Sequence, residues 1–111
     1  MKSRTIVVPK DSGAEHALNY DEATPDQLIE VELNEVEFKD LWETGFFEFI
    51  NSIADANIDN YEDESIVERE KLKKVLSSDI FTRNIIANTV NQIRYLFEEA
   101  IKRETGIYFY F

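Results

Sequence analysis

Carboxylates are the most abundant side chains of this sequence that could do chemistry. Its 111 residues include 23 Asp and Glu, a single histidine (His16), three glycines and no cysteine. Paired carboxylates can act as general acid and base, but among so many acids no particular pair stands out. One imidazole cannot build a histidine pair around a metal, and the sequence contains no glycine-rich phosphate loop. The sequence therefore predicts a protein that is not an enzyme and needs no cofactor.

One acidic stretch has the spacing of metal ligands. Oxygen-bearing side chains occupy every second position from Asp55 to Asp63, which resembles the calcium loop of EF-hand proteins. The resemblance fails where that loop needs a glycine and a bidentate glutamate, because Asn60 and Ile66 stand there. The prediction is an acidic loop between two helices without a metal site, and weak binding of hydrated magnesium or calcium is the alternative.

The charges are unevenly distributed along the chain. The formal net charge is −11, with +3 over residues 1–10, −17 over residues 11–68 and +3 over residues 69–111. Residues 11–68, here called the acidic segment, contain 18 acids and one base, Lys39. Such a segment either solvates a surface or attracts a basic partner. It opposes binding to nucleic acid, because phosphate contacts need Lys or Arg.

Apolar periodicity predicts short strands and several helices. Strands are predicted over residues 5–8, 28–33 and 107–111. Helices are predicted over residues 35–44, 46–55, 66–77 and 79–104. The polar residues 9–27 are expected to form a long loop with at most one helical turn. Residues 24–27 also carry a helix-start pattern, but the clean alternation of the next six residues favours a strand there.

Particular residues set the predicted helix ends and inner faces. Capping-box patterns occur at two predicted helix starts, Asn34/Glu37 and Ser65/Glu68. Asp79 is expected to cap the last helix, Gly106 to stop it, and Val67 to face inward from the preceding helix. The last helix carries an apolar stripe formed by Ile86, Val90, Ile93, Phe97 and Ala100. This stripe is expected to be core, with a dimer seam as the alternative.

Together these elements predict an α+β fold. We expect one compact domain over residues 1–111, with three or four helices packed on a small sheet of two or three short strands. A mainly α fold with extended termini is the alternative. The sequence has no apolar run of membrane-spanning length and no signal-like N-terminus, so a cytoplasmic location without membrane contact is expected. Monomer and homodimer both stay open.

The overall composition suggests a binding role. A small, acidic, cysteine-free chain without catalytic residues is similar in composition to nuclease immunity proteins and DNA mimics. We therefore predict a non-enzymatic acidic module that binds and inhibits a basic protein such as a nuclease toxin. The predicted contact residues are Trp42, Glu43, Glu48, Asp55, Asp59, Tyr61, Glu62, Asp63 and Glu64. The alternative is a small structural or regulatory protein that self-associates through residues 86–100 or 107–111.

Overall fold

The structure is a computed structural model that describes residues 4–59, 62–82 and 87–111. The strands are β1 (Arg4–Pro9), β2 (Leu28–Leu33), β3 (Glu64–Ile66) and β4 (Ile107–Tyr110). The helices are α1 (Ser12–Asn19), α2 (Glu35–Glu43), α3 (Phe46–Ala54), α4 (Arg69–Ser77) and α5 (Ala87–Lys102). The predicted α+β class is confirmed, and the described residues contain one more helix and one more strand than the upper predicted numbers.

The four strands form one antiparallel sheet in the order β2-β1-β4-β3. The apolar strand β1 is central, and its Ile6 pairs with Val31 of β2 on one side and Phe109 of β4 on the other. The sheet thus joins both ends of the chain to its middle. Because antiparallel partners point to the same face, each register position defines a row across the sheet.

One face of the sheet packs against the helices. Ile6, Val8 and Phe109 are fully buried there within a cluster that includes side chains from α2, α3, α4 and α5. Phe47 lies at the centre of this cluster, with ring centroids 5.1–6.4 Å from five other aromatic rings. We call this the core face, and the opposite side of the sheet the second face.

The N-terminal cap predicted for α2 is confirmed. The Asn34 side chain accepts a hydrogen bond from the Glu37 amide at 2.8 Å, and the Glu37 carboxylate accepts one from the Asn34 amide at 3.0 Å. Gly45 separates α2 from α3 with a φ of 79°, a left-handed conformation that favours glycine. The capping box and this turn fix where both helices begin.

The loop predicted for residues 9–27 is partly wrong. Residues 12–19 form the two-turn helix α1, because the Asp11 side chain caps the Ala14 amide at 2.7 Å. Residues 25–27 form a single 3-10 turn with a capping box between Thr24 and Gln27. The helix-start pattern therefore corresponds to this short turn, and the alternating pattern corresponds to strand β2, which follows it directly.

The predicted start of α4 is also wrong. Ser65 does not cap a helix, because Glu64–Ile66 pair with β4 as a strand, and α4 begins only at Arg69. Val67 lies between the strand and the helix and is 51% exposed instead of buried. The long-range pairing with β4 outweighs the local capping signal.

The last helix is shorter than predicted. Residues 79–82 form a turn, so the prediction that Asp79 caps the helix is wrong, and Ile86 lies outside the described residues. The other four residues of the apolar stripe are buried in the core. The helix ends in a Schellman motif at Glu104, whose φ is 58°. Gly106 is not the stop; a Cβ there would lie 2.5 Å from the Val67 side chain, so the glycine permits close packing.

Candidate protein-binding surface

Almost all carboxylates of the acidic segment lie on the surface. Of its 18 acids, 14 are exposed, four are half-buried and none is buried. By contrast, the one buried acid among the described residues, Glu99 of α5, is paired with Arg103 at 2.9 Å. The fold therefore turns the negative charge of the segment outward.

Residues 55–64, here called the acidic loop, carry most predicted contact residues and are held by three sets of hydrogen bonds. The Asn51 side chain of α3 accepts from the Ile58 amide at 2.7 Å and donates to the Ile58 carbonyl at 3.0 Å, while the Ile58 side chain enters the core. The Glu64 carboxylate accepts from the Asn57 amide at 2.8 Å. Asp59 accepts from the Glu62 amide at 2.9 Å. These bonds anchor the described part of the loop to the rest of the fold.

The predicted contact residues occupy two regions. Glu43 and Glu48 are exposed on α2 and α3, on either side of Gly45. The other five predicted carboxylates lie in residues 55–64, where Asp55 and Glu64 border one pocket of about 200 Å³. Asp55 ends α3 in a left-handed conformation, with a φ of 52°.

Of the two predicted aromatic anchors, Trp42 lies within the described residues and Tyr61 does not. Trp42 is half-buried, and its ring packs on Phe38 and Phe47 at centroid distances of 5.9 and 5.7 Å. This packing ties the indole to the edge of the aromatic cluster. Tyr61 lies outside the described residues.

The second face of the sheet places Glu32, an acid that sequence reasoning missed, in line with the predicted contact residue Asp63. Glu32, Thr5 and Tyr110 share one row across β2, β1 and β4. The register of β3 on β4 continues that row to Asp63. We call these four residues the open strip, since two of them are exposed and two are half-buried. The alternation of residues 28–33 was the available signal, because it puts Glu30 and Glu32 on the face away from the core.

The row beside the open strip is covered by α1. Val7 and Tyr108 belong to this row, and both are buried beneath the helix, as is its own Ala14. The Tyr108 hydroxyl donates to the Glu15 carboxylate at 2.9 Å. Burial, together with this hydrogen bond and the Glu15 charge, raises the pKa of Tyr108 above its ordinary value. The second face is thus half covered and half open.

The other predicted sites receive no support from the geometry. Within residues 4–59, 62–82 and 87–111, no group of three or more His, Cys, Asp or Glu side chains is placed to hold a metal ion. No helix in these ranges has the length and apolar character to cross a membrane. The described residues of both predicted self-association stripes are mostly buried, and only Tyr110 is half-exposed among residues 107–111. Those stripes are consequently part of the core.

The chain resembles a solved structure. No family model and no curated protein matches this chain at a significant level. Among solved structures, it is similar to the Neisseria DNA mimic protein DMP12, with a TM-score of 0.66 and 21% identity over 100% of both chains. This likeness shows a shared α+β fold from the first strand to the last.

Proposed function

We propose that this chain is a non-enzymatic module that binds a basic DNA-binding protein and occupies the surface with which that protein contacts DNA. The observation that carries the proposal is the exposure of 14 of the 18 carboxylates of the acidic segment, none of which is buried. The similarity to a DNA mimic protein supports it, because the two chains share their whole fold. A surface of this kind presents fixed negative charge to a groove that is built for phosphates.

Electrostatics account for both the speed and the selectivity of such binding. A concentrated negative field steers a basic partner into place and raises the association rate, and salt screens this effect. The field also repels nucleic acid itself, so the module competes with DNA without binding it. Within the proposal, the contact surface includes the acidic loop and the exposed carboxylates of α2 and α3.

Among basic partners, a nuclease toxin fits the proposal well. Binding in the DNA groove of the toxin would inhibit the toxin without any catalysis by the module. The interaction would take place in the cytoplasm, where the toxin's substrate lies. A DNA-binding protein without nuclease activity would present the same kind of surface and is the alternative partner.

Capture at two salt concentrations tests the proposal. The immobilised 111-residue chain is incubated with a lysate of the organism that encodes it, at about 50 mM and about 500 mM salt. We expect a basic DNA-binding protein to be retained at low salt, lost at high salt and displaced by added duplex DNA. Retention that is indifferent to salt and to duplex DNA would contradict the proposal. A variant with Glu43, Glu48, Asp55 and Asp63 changed to the corresponding amides should retain less partner at low salt, because it removes four negative charges from the proposed contact surface.

A further inference from the structure

The open strip ends in a pocket that combines carboxylates with aromatic rings. This pocket, about 240 Å³ in volume, lies between the end of α1 and strand β4. It is bordered by Leu18, Asp21, Asp63, Tyr108 and Tyr110. Pockets for drug-sized molecules have volumes of about 300–1,000 Å³, so this one is sized for a single side chain.

Three acids border the pocket, and the Glu64 carboxylate already accepts hydrogen bonds from the Asn57 and Ser65 amides. The other two acids lie on opposite elements. Asp63 precedes β3, whereas Asp21 follows α1, where it adopts a left-handed φ of 56° and its amide donates to the Leu18 carbonyl at 3.1 Å. Burial and the charges of Asp63 and Asp21 raise the pKa of Tyr110 above its ordinary value. Both carboxylates therefore act on the same phenol, and their negative fields converge on the pocket.

The pocket also has aromatic and aliphatic walls. The rings of Tyr108 and Tyr110 stack with centroids 6.4 Å apart and planes inclined by 16°. Tyr110 is half-buried, so part of its side chain remains accessible at the surface. Leu18, partly buried on α1, supplies an apolar surface.

This combination matches the chemistry of an arginine side chain. A planar guanidinium stacks on an aromatic face and donates to carboxylates in a fixed fork, while its methylene stem covers apolar surface. An ammonium group is a compact, strongly hydrated charge, so it gains less from stacking. A second copy of the chain is a poor occupant, because it would bring its own carboxylates into the same field.

We propose that this pocket receives an arginine side chain of the basic partner, with Tyr110 as the stacking surface and Asp21 and Asp63 as the hydrogen-bond acceptors. The inference rests on the proposed function, because it assigns one contact of the same interaction. It adds the second face of the sheet to the contact surface that the acidic loop provides. Asp63 belongs to both regions and joins them.

A single-arginine peptide tests the pocket directly. Acetyl-Gly-Arg-Gly-amide is titrated into the 111-residue chain at low salt, and amide chemical shifts are followed by NMR. We expect the largest shifts at the pocket residues and weaker binding by about fivefold or more in the variant Asp21→Asn/Asp63→Asn. Asparagine tolerates the left-handed conformation at position 21, so this variant should keep its fold. The matched control, Glu70→Gln/Glu98→Gln, removes the same charge from exposed positions on α4 and α5, outside the proposed contact surface, and should change affinity by about twofold at most.

Two further comparisons separate the roles of the ring and the guanidinium. Tyr110→Phe should bind the peptide as the unchanged protein does, while Tyr110→Leu should bind it more weakly. Acetyl-Gly-Lys-Gly-amide should bind more weakly than the arginine peptide. An equal loss of peptide affinity in the two double variants would overturn the proposed arginine pocket. Chemical-shift changes spread over the whole acidic surface would overturn it as well. The proposed function is judged separately, by displacement of a whole basic protein with duplex DNA, so each proposal can fail without the other.

Discussion

The two faces of the sheet are built from alternate residues of the same strands, yet they differ in what covers them. On the core face, Val8 packs into a cluster contributed by four helices. On the second face, the neighbouring Val7 is covered by one short helix, and the adjacent row is open to solvent. One strand therefore supplies stability with one set of side chains and a candidate binding surface with the other.

This contrast explains how a strongly acidic chain folds. The core face gathers large apolar side chains, among them Phe47, Phe109 and Phe111. The acids of β2 point away from it, and the acidic loop is anchored by backbone hydrogen bonds and by Ile58. Charge repulsion is thus confined to the surface, where water and salt screen it.

The largest expected effect is on the core face. Phe47→Ala should lower the free energy of unfolding by about 3–5 kcal/mol, because a fully buried ring leaves a cavity among five aromatic partners. Chemical denaturation measures this change. Tyr95→Ala, at a 51% exposed position on α5, is the matched control and should cost less than about 0.5 kcal/mol. Similar losses in both variants would mean that the aromatic cluster is not the main source of stability.

The same substitution on adjacent residues compares the faces directly. Val8→Ala should lower the free energy of unfolding by about 2–3 kcal/mol, because the helices around it cannot close the cavity. Val7→Ala should cost about 1–2 kcal/mol, since the two-turn helix α1 can move toward the sheet. Denaturant titration of both variants checks the order. A larger loss for Val7→Ala would reverse the proposed roles of the two faces.

Alkaline pH should act on the second face through Tyr108. Its pKa is raised in the folded protein, so the stability that its neutral hydroxyl contributes is complete below the unfolded value of about 10 and is lost as pH rises above it. Tyr108→Phe should lower stability by about 1 kcal/mol at neutral pH, because the hydrogen bond to Glu15 is lost. It should also flatten the alkaline decline, which thermal unfolding between pH 8 and 11 measures. Some alkaline loss of stability should remain in this variant, because the pKa of Tyr110 is also raised. A loss as steep as that of the unchanged protein would contradict the assignment to Tyr108.

The smallest expected effect comes from single carboxylates in two different charge environments, one on β2 and one on α5. Glu30→Gln on β2 should raise the melting temperature by about 1 °C, because it removes one of many neighbouring negative charges. Glu98→Gln on α5 should lower it by a similar amount, since Arg94 lies 3.7 Å from that carboxylate. Differential scanning calorimetry at low salt resolves the two signs. Identical shifts would mean that the uneven charge distribution has no energetic consequence.

Much of the fold could be predicted because its signals are local. The Asn34/Glu37 capping box and the alternation in β2 each depend on residues within one turn or one strand. β3 was missed because three residues become a strand only when β4 pairs with them. Likewise, Gly106 was assigned to the helix end, whereas its close neighbour Val67 is distant in sequence.

The candidate surface was harder to predict for the same reason. Negative charge along residues 11–68 is visible in the sequence, but the meeting of Asp21, Asp63 and Tyr110 depends on three elements that are far apart in the chain. Composition identifies a surface that could attract a basic protein. Only the register of the sheet indicates which carboxylates lie beside an aromatic ring.

Competition for a DNA groove tests the central proposal most directly. The basic partner captured at low salt is purified and bound to a fluorescent DNA duplex, and this chain is added while fluorescence anisotropy is recorded. We predict that anisotropy falls to the value of free DNA near a one-to-one ratio, and that higher salt weakens the competition. Anisotropy that stays constant or rises would show that the partner holds DNA and this chain together, which would contradict the proposal that the chain takes the place of DNA.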